Sequence, residues 1–356
     1  MSSSPYENVP VHGFWRSGVA EQNPLEFKGL YKRKFRIRRS QTIATAGSCF
    51  AQHIARHLRA RKFNVPDYEP APRGMRAELA RKYQFGIYSC RYGNIYTAAQ
   101  LLQLAREAFG HMVPSDRVWE RDGRYFDAQR PNAEPEGFEN PEQVLEARKR
   151  HLESVRQMLL EMDIFVFTFG LTESWQHRES GTVFPTAPGT IAGTFDPKVY
   201  EFRNFTHSET LQDFVKFKRL LKRERAKTPQ YIVSVSPVPL TATATGQHVL
   251  AASTYSKSVL RAVAGELFQT NRDVDYFPSY EIITAPVTRG IFFEPNQRSV
   301  SGHGVETAMQ AFFSQHDPGG HGGSVPAPQA QDQNAAPADE EDSLICEEIL
   351  LENFSR

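Results

Sequence analysis

The sequence predicts an α/β protein of three layers, with a mainly parallel sheet held between helices. Apolar, β-prone runs alternate with amphipathic helical segments along the body of the chain. The run DIFVFTFG at Asp163–Gly170 is apolar almost throughout, as a strand covered on both faces has to be. Helix-length segments separate successive strands, which calls for parallel pairing through right-handed crossovers.

In chain order, TIATA (Thr42–Ala46) is a short strand that breaks at Gly47. Cys49–Arg61 follows as a helix, with Ile54, His57 and Leu58 at helical spacing. Residues 63–139 leave the alternation: they are rich in Arg, Tyr, Pro and Gly, with a loop entering a helix near Thr97. A long amphipathic helix, Pro141–Leu160, leads into the strand Asp163–Gly170. Residues 173–206 carry many turn formers and predict an irregular cap containing a hairpin. Helix Thr210–Lys227 precedes strand Gln230–Pro237, helix Tyr255–Phe268 precedes strand Val274–Ile283, and Val305–Phe313 closes the body as a helix. One domain over 1–315, with insertions at 63–139 and 173–206, is therefore expected. Residues 316–342 have almost no large apolar side chain and read as a flexible linker. Residues 343–356 place Leu344, Ile345, Ile349, Leu350 and Phe354 near helical spacing and read as a short terminal helix.

Composition narrows the function. Lys and Arg number 42 against 41 Asp and Glu, a net charge of +1, which removes the chain-wide electrostatic argument for nucleic acid as a partner. No run approaches the roughly 18–20 apolar residues needed to span a bilayer, and Met1–Glu7 lacks a secretory start, so a cytoplasmic location is expected. Cys49, Cys90 and Cys346 form no CxxC pair, so neither a disulfide framework nor a metal site is expected. His53 and His57 lie four apart without a matching third donor and read as helix packing. HGFWR (His12–Arg16) reads as a packing N-terminal arm. The basic runs YKRKFRIRR (Tyr31–Arg39) and RERAK near Arg223 read as solvated surface, with phosphate contact to a donor nucleotide as the alternative.

Chemistry concentrates in TIATAGSCFAQHIARHL. Ser48 and Cys49 sit at the strand-to-helix turn, where Gly47 permits close backbone approach and the helix start offers amide groups. A thiolate there is stabilised by the helix dipole. The alternative is an N-cap serine beside a small buried cysteine.

GSCFA (Gly47–Ala51), SCRYGNIYT, FTFGLTESW, HRESGTVFPTAPGTIAG, VSPVPLTATA, HVLAASTYSKSVLRAV, VDYFPSYEI and FFEPNQRSV resemble the GSCFA domain family, grouped with the SGNH or GDSL-like hydrolases. The resemblance covers about Pro5 to Phe313 and implies an SGNH-like fold. It implies an esterase or O-acyltransferase acting on a small-molecule or carbohydrate substrate, with no cofactor beyond an acyl donor such as acetyl-CoA. Laid in register with the Gly-Asp-Ser block, Cys49 stands at the nucleophile, with Ser48 as second choice. Gly93 takes the oxyanion-hole glycine, with Asn94 as a side-chain donor. Gly170-Leu171-Thr172-Glu173 stands where the family pattern has Gly-x-Asn-Asp, so Thr172 replaces the amide donor. The terminal Asp-x-x-His block is missing: Glu294, Asn296 and Ser299 occupy it, and His303 falls beside the following helix. His248 is the preferred base and His177 the second, with Glu173 as the orienting carboxylate and Trp175 and His177 facing substrate from the cap. The competing expectation is an SGNH scaffold with a decayed triad that binds a glycan or protein.

Overall fold

The computed structural model describes residues 4–26, 28–317, 350, 351 and 354. The expected linker at 316–342, apart from its first two residues, and most of the expected terminal helix lie outside the described residues.

The chain runs β1 (Ile43–Gly47), α1 (Phe50–Ala60), α2 (Ala77–Lys82), α3 (Ala98–Ala108), β2 (Val118–Arg121), β3 (Arg124–Asp127), α4 (Pro141–Glu161) and β4 (Ile164–Phe169). It continues through β5 (Glu173–His177), β6 (Val183–Phe184), β7 (Tyr200–Asn204), α5 (His207–Glu224), β8 (Gln230–Val235), α6 (Val249–Thr270), β9 (Val274–Tyr276), α7 (Ser279–Thr284) and α8 (Gly302–His316). The central sheet has the order β1-β4-β8-β9 and every pair is parallel, with Ile43 beside Ile164 and Ile164 beside Gln230.

Strand alternation builds the layers. Phe165, Phe167 and Phe169 of β4 face one way, into a core with Leu101, Met158, Phe214 and Leu260 from α3, α4, α5 and α6. Ile164 and Val166 face the other, against Phe50, Ile54, Ile282, Met309 and Phe312 from α1, α7 and α8. Each fully buried side chain of this size contributes about 1.5–3 kcal/mol, so the sandwich rests on both faces of β4.

Strand β1 lies at the sheet edge, where unpaired backbone groups would invite another strand. Here residues 88–95 meet them: the Ser89 hydroxyl accepts from Thr45 N–H at 3.1 Å, Tyr92 Oη donates to Thr45 O, and Ile95 N–H donates to Gly47 O at 2.9 Å. The first insertion thus does the work of a fifth strand.

Five sequence expectations change. The strand read over Val274–Ile283 stops at Tyr276, because Pro278 has no N–H for the ladder and α7 starts at Ser279. Helix α6 starts at Val249, ahead of the expected Tyr255, because His248 caps it: Nδ1 accepts from Leu250 N–H at 3.1 Å. Helix α5 starts at His207 on a Thr206/Glu209 capping box. The cap is a three-stranded antiparallel sheet, β6-β5-β7, rather than an irregular hairpin. The basic run at Tyr31–Arg39 is docked: Tyr31 Oη donates to Asp275 Oδ2 at 3.0 Å and lies 2.7 Å from His316 Nε2, and Lys34 Nζ sits 3.9 Å over the Phe268 ring. Among the described residues no helix is long and apolar enough to cross a membrane.

Candidate active site at the strand-to-helix turn

Gly47 ends β1 at φ +140°, and a Cβ there would lie 2.5 Å from Thr168 O. Only glycine fits so close to β4 in that conformation. Ser48 N–H then donates to Thr168 O at 3.1 Å, and Cys49 takes the N-cap of α1 with helical angles and no side-chain cap bond. Both side chains are buried, Ser48 at 2% and Cys49 at 3% exposure. Among the described residues Ser48 Oγ has no hydrogen-bond partner. Ala51 N–H donates to Ser48 O and Gln52 N–H to Cys49 O, at 2.8 and 3.1 Å, while Phe50 N–H meets no acceptor among the described residues. That amide belongs to the residue after Cys49, where oxyanion donors stand when a nucleophile occupies such a turn.

The first insertion lines the other side. Gly93 turns at φ +70° and delivers Asn94, which is buried. Asn94 Oδ1 accepts from Gln52 Nε2 at 3.1 Å and lies 2.7 Å from Tyr88 Oη, which is also 2.8 Å from Ser48 O. Asn94 Nδ2 is 3.3 Å from Tyr96 Oη. Asn94 is therefore joined to the turn through Gln52 and Tyr88.

Beyond β4, Gly170 packs on the turn: a Cβ there would meet Ser48 Cβ at 3.0 Å. Lys257 of α6, 3% exposed, donates from Nζ to Gly170 O at 2.7 Å. The amides of Gly170 and Leu171 donate to Tyr96 O at 2.9 and 3.1 Å, and Thr172 N–H donates to Ser256 Oγ at 3.0 Å. Thr172 Oγ1 donates to Asn204 Oδ1 at 2.7 Å, so Thr172 ties β7 of the cap to the sheet rather than presenting a donor to the turn.

The remaining predicted residues sit apart from this cluster. Glu173 Oε1 accepts from Thr243 Oγ1 at 2.7 Å, and burial raises its carboxyl above the usual range. His248 is exposed and engaged as the α6 cap. His177 Nδ1 accepts from Ser180 N–H at 3.3 Å, with Nε2 3.6 Å from Asp116. Among the described residues no hydrogen bond joins an imidazole to Ser48, Cys49 or Glu173. Trp175 stacks edge-on against Phe195 and Phe202 within the cap, at 5.0 and 5.7 Å. His303 stands at the start of α8 against Phe292, with ring centroids 5.6 Å apart. His53 and His57 are buried in α1, and burial, then Arg56 and His57, pull His53 down to about 3.

Lys257 was missed from sequence, and a signal for it existed. It sits on a face of α6 otherwise occupied by Ser253, Ser256, Leu260, Val263, Ala264 and Leu267, all buried. A lysine on such a face has to be paired or functional.

A comparison with family models matches residues 42–312 to the GSCFA family, from the residue before β1 into α8. The chain belongs to the GSCFA family. The match takes in every residue of the turn cluster and leaves out the N-terminal arm, which the fold nonetheless docks through Tyr31. A search of curated proteins and of solved structures finds no significant match to this GSCFA chain.

Proposed function

We propose that this GSCFA protein is an acyl-ester enzyme of the SGNH type, an esterase or O-acyltransferase acting on a carbohydrate, with its nucleophile at the Ser48-Cys49 turn. The observation that carries the reading is the turn itself. A glycine that no other residue can replace sets a thiol and an unpartnered hydroxyl at the carboxyl end of a sheet strand, where open α/β sheets place their ligands.

In this reading Cys49 Sγ attacks the acyl carbonyl and a C–S bond forms. The thiol proton passes to the Lys257 amine, and the charge on the carbonyl oxygen is met by Phe50 N–H, with Asn94 supplying the side-chain donor. Collapse of the tetrahedral species breaks the ester C–O bond and returns the proton to the leaving alkoxide. Water or a sugar hydroxyl then discharges the thioester. Lys257 is preferred to His248 as the proton carrier, because it is buried beside Gly170 whereas the exposed His248 imidazole caps α6. A thioester suits transfer, and an acyl donor such as acetyl-CoA fits that form.

A second reading, a binding module on an SGNH scaffold, is favoured by Thr172 and the amides around it being engaged within the fold. The test is to incubate the protein with p-nitrophenyl acetate or acetyl-CoA, quench, and map adducts by mass spectrometry. Acetyl on Cys49, lost in Cys49→Ala and slowed about a hundredfold in Lys257→Met, is expected. Trapping of Ser48 by a fluorophosphonate with Cys49 unlabelled moves the nucleophile to serine. No adduct, no turnover and measurable glycan binding supports the binding module.

A further inference from the structure

Away from the turn, α3, α5 and the tip of the β5-β6 hairpin enclose an open groove of about 870 Å³. Its floor is apolar, with Leu102 and Leu220, and its rim is basic. Arg106 stands on the α3 side, and Lys216, Arg219 and Arg223 at helical spacing on α5. Two of these cations are already matched. Lys216 Nζ is 3.5 Å from Asp213, and Arg223 bonds Glu224 at 3.1 Å beside His111. Arg219 is exposed and makes no hydrogen bond or ion pair among the described residues; Arg106 is exposed and makes no hydrogen bond among them, and its charge acts with that of Lys216 on the Asp213 carboxylate, which also lines the groove.

We propose that this groove binds an organic oxyanion of about nucleotide or disaccharide size, its phosphate or carboxylate groups taken by Arg106 and Arg219. Guanidinium forks match both anions in bidentate geometry, and the volume falls in the small-molecule range. The apolar floor receives the uncharged part of the ligand. The near end of the groove adjoins the sheet end that carries the turn: Ala99 lies two residues past the Thr97 cap of α3, and Phe205 N–H donates to Thr172 O at 2.8 Å. The proposal stands on the groove alone and holds whether or not Cys49 is catalytic.

The test is calorimetric titration of the full chain with pyrophosphate, with trigalacturonate and, as the uncharged control, with maltotriose. Binding of at least one anion and no binding of maltotriose is expected, and the anion that binds identifies phosphate or carboxylate as the natural group. Arg106→Gln with Arg219→Gln should weaken binding by about tenfold or more. Lys222→Gln, an equal charge change on α5 outside the groove, should stay within about twofold. Ser180→Glu, which puts a carboxylate on the opposite wall, should weaken binding with both guanidinium groups left in place. Failure of both anions to bind the wild type, or equal weakening by Lys222→Gln, overturns the proposal.

Discussion

Two buried polar regions flank α3, and they are built on opposite principles. Under the first insertion, the charges of Arg130, Arg148, Glu69, Glu107 and Asp127 are paired with one another. Arg148 Nε donates to Glu107 Oε1 at 2.9 Å and its Nη1 lies 3.6 Å from Asp127, while Arg130 reaches Asp127 at 2.8 Å and Glu69 at 3.2 Å. His151 Nδ1 is 2.6 Å from Glu69. Burial pushes the Glu69 carboxyl up, but His151, Arg130 and the Arg91 N–H together hold it well below the usual carboxylate range. This network joins α3, α4, the β2-β3 hairpin and the loop at Glu69. Among the described residues the strand-to-helix turn carries no carboxylate and leaves Ser48 Oγ without a partner. Other buried polar atoms also lack partners, among them His53 Nε2 and Tyr231 Oη. Among these atoms of the described residues, Ser48 Oγ is the one beside a thiol at a strand end. Paired charges hold an insertion in place, whereas a hydroxyl without a partner adds little to the fold.

The largest expected effect breaks the first region. Arg148→Ala leaves Glu107 buried and unpaired and strips one partner from Asp127, and it should cost about 3–5 kcal/mol in chemical denaturation. Arg148→Met with Glu107→Leu should recover part of that loss. A cost under about 1 kcal/mol for the single change means the network is hydrated.

Acid should act next. His53 and His316 are each pulled down to about 3, His53 by burial, Arg56 and His57, and His316 by burial, Arg33 and Arg36. Their folded values lie below the unfolded value near 6.5, so only the unfolded chain takes up these protons as pH falls from about 6.5 towards 3. Stability should be flat above about pH 7 and lower by about 3 kcal/mol at pH 5.5 for the pair, at about 1.4 kcal/mol each. His316→Gln should remove about 1.4 kcal/mol of the loss at pH 5.5, half of the pair's share, while His151, pulled down to about 4, adds a similar loss of its own. An unchanged slope places its origin elsewhere, with His151 the next group to test.

At the turn, Gly47→Ala drives a Cβ into Thr168 O from a left-handed φ and should cost about 2 kcal/mol or more. Thermal melting that moves by less than a degree or two would mean that the turn yields. Ser48→Ala should have the smallest effect on stability, within about 0.5 kcal/mol of wild type, because the hydroxyl it removes makes no hydrogen bond. A loss above about 1 kcal/mol would show a partner for Ser48 Oγ and weaken the contrast between the regions.

Much of the frame was legible. TIATA, DIFVFTFG and QYIVSVSP read as the central strands because both of their faces are covered, and the long helices because their apolar stripes keep a 3.6-residue period. Gly47-Ser48-Cys49 read as a strand-to-helix turn because a strand, a glycine and a helix follow one another within a few residues. The end of β9 was misread because Phe277, Ile282 and Ile283 are buried after the strand stops, and burial alone does not tell strand from helix.

The sequence by itself determined the layer order, the parallel sheet and the place of the turn, all of which rest on local periodicity and backbone conformation. Only the tertiary structure decided which polar groups meet. Lys257 reaches Gly170 from 87 residues away, and His151 reaches Glu69 from 82. It also decided that His248 closes a helix, and that the cap hangs on Thr172 and Asn204. Hydrogen bonds and ion pairs act over a few ångströms in space, so their partners are chosen by packing and leave no period in the chain.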